Sequence, residues 1–292
     1  MENNKSSCCW ERGLLDVIEF SVLMSVYKNE KPDYLREALE SVVQQTVMPN
    51  EIVIVKDGLL TEELDVVIDE YVEGYNELFK VVSFEKNRGL GLALKDGVLA
   101  CSYEYIARMD TDDIAKLDRF EKQIKFLKEH SEVALLGSWV KEFSKNPQSP
   151  DTITKLPCKN EEILQFARSR NPFRHMTVIF KKQVVLNSGN YRGFLWFEDY
   201  DLWVRIIQNG YKVANLPEFL VDVRAECDMF ARRGGWKYLK QDFKFQGFLL
   251  ESKFISTFQF VKNIFIRSIV RIIPNSIRVL VYKGLLRKSD CK

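Results

Sequence analysis

Four short apolar runs, at residues 20–26, 51–55, 80–84 and 105–109, alternate with stretches whose apolar residues recur at helical spacing. The runs are β-rich, too short for helices and bounded by polar breaks, so they read as buried strands. After the first, Pro32 and Asp33 open a helix with Tyr34, Leu35, Ala38, Leu39, Val42 and Val43 on one face. Leu64, Val67, Ile68 and Tyr71 stripe a second helix, and Leu94, Val98 and Leu99 a third. This alternation predicts βαβ units: an α/β fold with a Rossmann-like, mostly parallel central sheet flanked by helices.

The pattern continues less regularly. Residues 117–128 predict a helix with Phe120, Ile124 and Leu127 inward, and with Arg119 and Gln123 on another face in structural roles. Residues 133–140 read as a strand pair or one long strand. The span 144–157 carries Pro147, Pro150 and Pro157 and few apolar residues, as a loop covering a ligand site would. Met176 opens another strand, Leu202, Trp203, Ile206 and Ile207 anchor a helix, and 211–215 and 218–223 read as two closing strands. Residues 1–19 form an irregular lead-in, and 226–292 a helical extension.

The unusual polar residues sit after strands. Asp57 follows the second, Asn87-Arg88-Gly89 the third, and Asp110-Thr111-Asp112-Asp113 the fourth. Parallel sheets bind ligands at the carboxyl ends of their strands, so these groups share one edge and suggest a nucleotide site. Three carboxylates in four positions repel one another unless a cation or donors satisfy them. Oxygen ligands at Asp110 and Asp112 suit Mg²⁺ or Mn²⁺. Equally, Asp112 or Asp113 could cap the next helix. Gly-x-Gly-x-x-Gly and Gly-Lys-Ser/Thr loops are missing, which weakens dinucleotide and P-loop readings.

Composition narrows the classes. A net charge of +2 argues against a dedicated nucleic-acid binder, and 46% hydrophobic residues support a sizeable core. The cysteines Cys8, Cys9, Cys101, Cys158, Cys227 and Cys291 form no Cys-x-x-Cys pair, so zinc is not expected and a reducing cytosol is. No apolar leader and no spanning stretch is visible, so the chain is expected neither to be exported nor to cross a bilayer.

Five elements in order now carry a resemblance: the opening strand, Asp57-Gly58, Asn87-x-Gly89, Asp110-x-Asp112 and Glu198-Asp199. Residues 20–225 resemble inverting family 2 glycosyltransferases of the GT-A fold, above all bacterial enzymes of capsule, exopolysaccharide and O-antigen assembly. The resemblance implies a nucleotide half over about 20–113, an acceptor half over about 114–225 and a nucleotide-sugar donor, usually UDP-linked. It implies a divalent Mg²⁺ or Mn²⁺ ion on Asp110 and Asp112. Asp57, Asn87, Arg88, Gly89, Asp110 and His175 would contact the donor. Asp199, beside Glu198, would be the catalytic base, with Asp201 the alternative. The acceptor implied is a polyprenyl-diphosphate-linked saccharide at the cytoplasmic face of the cell membrane. One departure is Lys56-Asp57-Gly58-Leu59, where many relatives have Asp-Asp-Gly-Ser; Lys56 is expected to face solvent. Processive relatives carry Gln-x-x-Arg-Trp and spanning helices, both missing here, so one sugar per encounter is expected.

Two other classes remain open on residues alone. A nucleotidyltransferase acting on sugar phosphates needs a glycine-rich loop after strand one, and Tyr27-Lys28-Asn29-Glu30 has no glycine. A non-catalytic module would not need the paired acids.

The last thirty or so residues differ in kind. Lys262, Arg267, Arg271, Arg278, Lys283, Arg287, Lys288 and Lys292 face one acid, Asp290. Asn263, Arg267 and Arg271 make a polar stripe, with Ile266, Ile269, Val270 and Ile273 mostly opposite. From about 262 this reads as a basic amphipathic helix, either on an anionic membrane surface or packed on the catalytic domain. Nothing in the pattern bears on oligomeric state.

Overall fold

The computed structural model describes residues 18–225 and 235–272. The lead-in up to residue 17, residues 226–234 and the tail beyond 272 lie outside the described residues. The expected alternation is present as β1 (Phe20–Val26), α1 (Pro32–Val43), β2 (Glu51–Lys56), α2 (Glu62–Tyr75), β3 (Phe79–Ser83), α3 (Leu90–Ala100) and β4 (Tyr105–Arg108). These four strands pair in parallel, in the order β3-β2-β1-β4.

The chain then continues through β5 (Ile114–Ala115), α4 (Arg119–Glu129), β6 (Val133–Phe143), β7 (Thr152–Thr154) and α5 (Asn160–Phe166). It proceeds to β8 (Ile179–Lys181), α6 (Lys182–Asn187), α7 (Glu198–Gln208) and β9 (Lys212–Arg224). The sheet grows from β4 through β8, β6 and β9 to β5. β8 enters antiparallel to both β4 and β6, so this half is mixed rather than parallel. Two helices, α8 (Trp236–Glu251) and α9 (Thr257–Ile272), complete the described chain.

Strand β1 shows why the sheet sits at the centre. Val22, Met24 and Val26 point into one core with α1 and α2, while Leu23 points into the other with α3 and α7. Both faces are buried, which is what its uninterrupted apolar sequence demands. A third cluster joins Phe197, Tyr200 and Val204 to Tyr238, Phe245 and Leu249, fastening α8 to α7.

Four expectations need correcting. The two closing strands are one strand, β9. Its register on β6 jumps from Ser138↔Leu216 to Trp139↔Phe219, leaving Pro217 and Glu218 as an irregularity. Proline cannot donate to a ladder, so the break in pattern marks a bulge rather than a turn. The proline-rich span 144–157 contains β7, which folds back on β6. Neither Asp112 nor Asp113 caps α4; that helix follows Asp118, and β5 lies between. Lys56 pairs with Asp65 instead of standing in solvent. By contrast, Arg119 and Gln123 are structural as expected. Both are fully buried, Arg119 Nη2 donates to Arg108 O at 2.8 Å, and Gln123 Nε2 donates to Thr177 O at 2.8 Å.

Gly97 of α3 sets how closely that helix approaches the sheet. A Cβ there would lie 2.5 Å from Leu23 Cδ1 and 2.9 Å from Val55 Cγ2. Gly97→Ala gains up to about 1 kcal/mol of helix propensity but overpacks the core at about 1–3 kcal/mol. The expected net effect is a lower midpoint in urea with an unchanged slope. A raised midpoint would show that Leu23 moves aside at no cost.

Candidate active site

The site lies at the carboxyl ends of β1, β2 and β4. β4 stops at Arg108, and the chain turns through Met109 and Asp110 to Asp113. Carboxylate oxygens of Asp110, Asp112 and Asp113 lie within 4.8 Å of one another. Basic side chains fasten this turn from both sides. Arg108, 1% exposed, ion-pairs with Asp110. At the end of β9 the Arg224 backbone N–H donates to Asp113 Oδ1 at 2.7 Å, and Arg224 Nε donates to Asp112 O at 3.1 Å. The Arg224 guanidinium stacks 3.9 Å from the centre of the Tyr34 ring and pairs with Glu37. Thr111 Oγ1 donates to Glu30 at 2.7 Å, bringing a further acid to the edge.

This packing leaves the cluster short of positive charge. Burial, then Asp110 and Glu30, push the Asp112 carboxyl up to about 7. Burial, then Asp112 and Asp110, push Asp113 well above the usual carboxylate range. Hard oxygen donors that close together and that costly to ionise fit a divalent cation, with Asp110 and Asp112 as the outer pair.

Asp57 is buried and works as a buckle. Its carboxylate accepts from Arg88 N at 2.7 Å, Gly89 N at 3.0 Å and Asn87 Nδ2 at 3.0 Å. Gly58, at φ +92°, allows this closeness, because a Cβ there would meet Asn87 N at 2.6 Å. The Arg88 side chain turns to Asp96 at 2.8 Å and lies 4.5 Å from the centre of the Phe84 ring. Gly89 precedes α3, whose Gly91 lies directly beneath the next element: a Cβ on it would meet Arg192 O at 2.4 Å and Glu198 Cβ at 3.1 Å. The first turn of α3, directly after that loop, therefore abuts the head of α7.

At that head the three acids separate into different environments. Asp199 Oδ2 accepts from Asn171 Nδ2 at 2.6 Å, and Oδ1 accepts from Tyr200 N at 2.7 Å. Burial, then Asp199, push Glu198 up to about 7, with Asp110 adding to the effect. Asp201 is fully buried and gripped by Arg205 through Nη2 at 2.6 Å and Nε at 3.1 Å. That grip, one turn along the helix, gives Asp201 a structural partner.

His175 lies near the same centre. Its Nε2 is 2.9 Å from Tyr191 Oη, and its ring sits edge-on to Trp203. Burial, then the Arg108 charge, hold it well below the ordinary histidine range, so it is neutral. The acidic turn, the Glu198-Asp199 pair, His175 and the buckled loop thus occupy one end of the sheet. Sequence reasoning missed Arg108, Asn171, Tyr191 and Arg224. Only Arg108 left a signal, as a charge inside an otherwise apolar strand.

A Rossmann-like half sheet, an acidic turn after its fourth strand and a second acidic pair close to it make an arrangement suited to group transfer. The family model described as glycosyl transferase family 2 matches residues 21–190, and the chain belongs to that family. It is 42% identical over 265 residues to the amylovoran biosynthesis glycosyltransferase AmsE of Erwinia amylovora, covering 90% of this chain and 98% of the relative. It is 39% identical over 273 residues to the UDP-Gal:alpha-D-GlcNAc-diphosphoundecaprenol beta-1,3-galactosyltransferase of Escherichia coli, covering 94% and 98%. Among solved structures, S. aureus TarS 1-349 in complex with UDP-GlcNAc aligns at TM-score 0.64 and 16% identity, over 85% of this chain and 72% of that one. The mannosyltransferase PcManGT from Pyrobaculum calidifontis, in complex with GDP-Man and Mn2+, aligns at 0.61 and 16%, over 90% and 72%. At that identity the structures establish the GT-A fold alone. The protein is a glycosyltransferase, and the nucleotidyltransferase and non-catalytic alternatives fall away.

The raised carboxyl of Asp112 has a thermodynamic sign. A folded value above the unfolded one means the group stabilises least once pH rises through about 7. Asp112→Asn should therefore raise the melting temperature of the metal-free protein at pH 8, with the gain shrinking toward pH 5. The same variant should lose the upward shift that Mn²⁺ gives the wild type. A variant that keeps the full Mn²⁺ shift would remove Asp112 from the metal ligands.

Proposed function

We propose that the enzyme transfers one sugar, with inversion, from a UDP-linked donor to a polyprenyl-diphosphate-linked saccharide in bacterial surface polysaccharide assembly. The likeness to the E. coli galactosyltransferase over nearly its whole length carries the acceptor and donor class. The facing acidic groups carry the mechanism.

Asp110 and Asp112 would hold a Mg²⁺ or Mn²⁺ ion on the donor diphosphate, with Asp113 fixed behind them by Arg224. Bound there, the metal neutralises charge that gathers on the leaving group. Arg108 keeps Asp110 in place. Asp57 shapes the loop over residues 87–89 against the nucleoside, and its remaining lone pair is what it can offer the base or ribose. His175, neutral and tied to Tyr191, offers polar contact without adding charge.

Asp199 is the base. Asn171 fixes its carboxylate in one orientation, and it takes the proton of the attacking acceptor hydroxyl. A single displacement on an α-linked donor gives a β-linked product, the configuration named for the E. coli relative. One base suffices, and no covalent intermediate forms. The lipid of such an acceptor keeps the reaction at a membrane surface, and a nucleotide-sugar donor, made in the cytoplasm, supports the cytoplasmic face.

Transfer from UDP-sugars to a synthetic lipid diphosphate saccharide tests the reading. Asp199→Asn should retain donor affinity while turnover falls about 10²–10⁴-fold. Asp201→Asn should instead lose stability, by about 3–5 kcal/mol for a broken buried pair. Near-normal turnover of Asp199→Asn would sink the base assignment, transfer in excess EDTA the metal, and an α-linked product the inversion.

A further inference from the structure

Helix α9 is inside out. Its polar stripe faces the protein: Asn263, 4% exposed, donates through Nδ2 to Arg168 O at 2.9 Å and to Gln246 Oε1 at 2.8 Å. One turn on, Arg267 Nη1 pairs with buried Asp242 at 2.7 Å, and Nη2 donates to Ser169 O at 2.7 Å. These bonds fix the rotation of the helix. They also settle which way the stripe read in the sequence points: inward, in contradiction of a helix that turns its polar side to water.

The consequence is an apolar outer face. Phe258 is 78% exposed, Phe265 68% and Val261 60%, with Ile266 and Ile269 about half exposed. These positions follow i, i+3, i+7, i+8 and i+11, one stripe along the helix. Phe243 of α8, itself 53% exposed, extends the face, and its ring meets Phe260 of α9 at 5.7 Å. Soluble monomers rarely expose a contiguous patch of this kind.

We infer that the outer face of α9, with Phe243 beside it, inserts into the headgroup–acyl boundary of an anionic lipid surface. Charge selects lipid over a second copy of the chain. Exposed Lys237, Lys240, Lys244 and Lys262 lie on the same two helices, and exposed Lys253 on the turn between them. The sequence beyond residue 272 adds Arg278, Lys283, Arg287, Lys288 and Lys292 against one acid, Asp290. Two such faces brought together would repel, whereas anionic headgroups neutralise them. In an ordinary interfacial helix the polar side rests in water. Here α8, through Asp242 and Gln246, and the catalytic domain, through the 168–169 backbone, take the place of water, so binding holds the domain at a fixed attitude to the surface. The inference deepens the proposed reaction by naming how an enzyme for a lipid-linked acceptor reaches it.

Co-sedimentation of the full chain with phosphatidylglycerol/phosphatidylethanolamine vesicles tests it, run with wild type and a Phe258→Glu, Phe265→Glu double variant. Both substituted side chains are exposed, and neither belongs to the site. Wild type should bind, retain most binding in high salt, and bind phosphatidylcholine vesicles more weakly. The double variant should bind at least tenfold more weakly while transferring sugar to a short-chain, water-soluble acceptor at the wild-type rate. That soluble assay separates the two proposals, because its failure in wild type would count against the reaction and leave vesicle binding standing. Unchanged binding by the variant would overturn the inference. So would a wild-type dimer that the variant turns into monomer with no vesicle binding, since a second copy would then cover the face.

Discussion

Mutual repulsion among carboxylates at one strand end is the constraint around which this protein is arranged. Asp110, Asp112 and Asp113 cannot sit together in a partly buried turn without positive charge nearby. Arg108 supplies some from inside the sheet, and Arg224 supplies backbone and side-chain donors from the far end of β9. Neither satisfies the cluster fully, as the displaced Asp112 and Asp113 carboxyls show. A turn left short of positive charge in this way is a poor means of stabilising a fold, and that is what supports the proposed cation site.

The head of α7 shows how one helix separates like groups into different surroundings. Glu198, Asp199 and Asp201 lie within four positions, yet each meets a different surrounding. Asp201 is fully buried against Arg205, Asp199 is oriented by Asn171, and burial resists the ionisation of Glu198. Environment, not residue type, distinguishes a structural acid from a chemical one.

Much of this was legible beforehand, because strand–helix alternation and polar residues after strands are local patterns. Asp57, Asn87 and Asp110 all fall where the alternation places them. What pattern could not convey was partnership across long stretches of chain. Arg224 meets Asp113, and Asn171 meets Asp199, only through the tertiary fold. The gap between 211–215 and 218–223, where Pro217 falls, read as the end of one strand because a bulge and a turn share the same local chemistry. The stripe on α9 was visible, but periodicity defines two faces without saying which one meets protein. The buried pairing of Asp242 with Arg267 decides it.

The Arg224–Asp113 bond also orders events during synthesis. β9 pairs with β6 and β5, strands about eighty to one hundred residues earlier in the chain, and such distant pairings form late. The nucleotide half, β1 to β4, emerges first and has its own parallel pairing. Its acidic turn gains its last donors only when residue 224 leaves the ribosome and docks. A nascent chain therefore carries the parallel half of the sheet with its acidic turn still unlatched, and that turn is completed as the rest of the sheet closes.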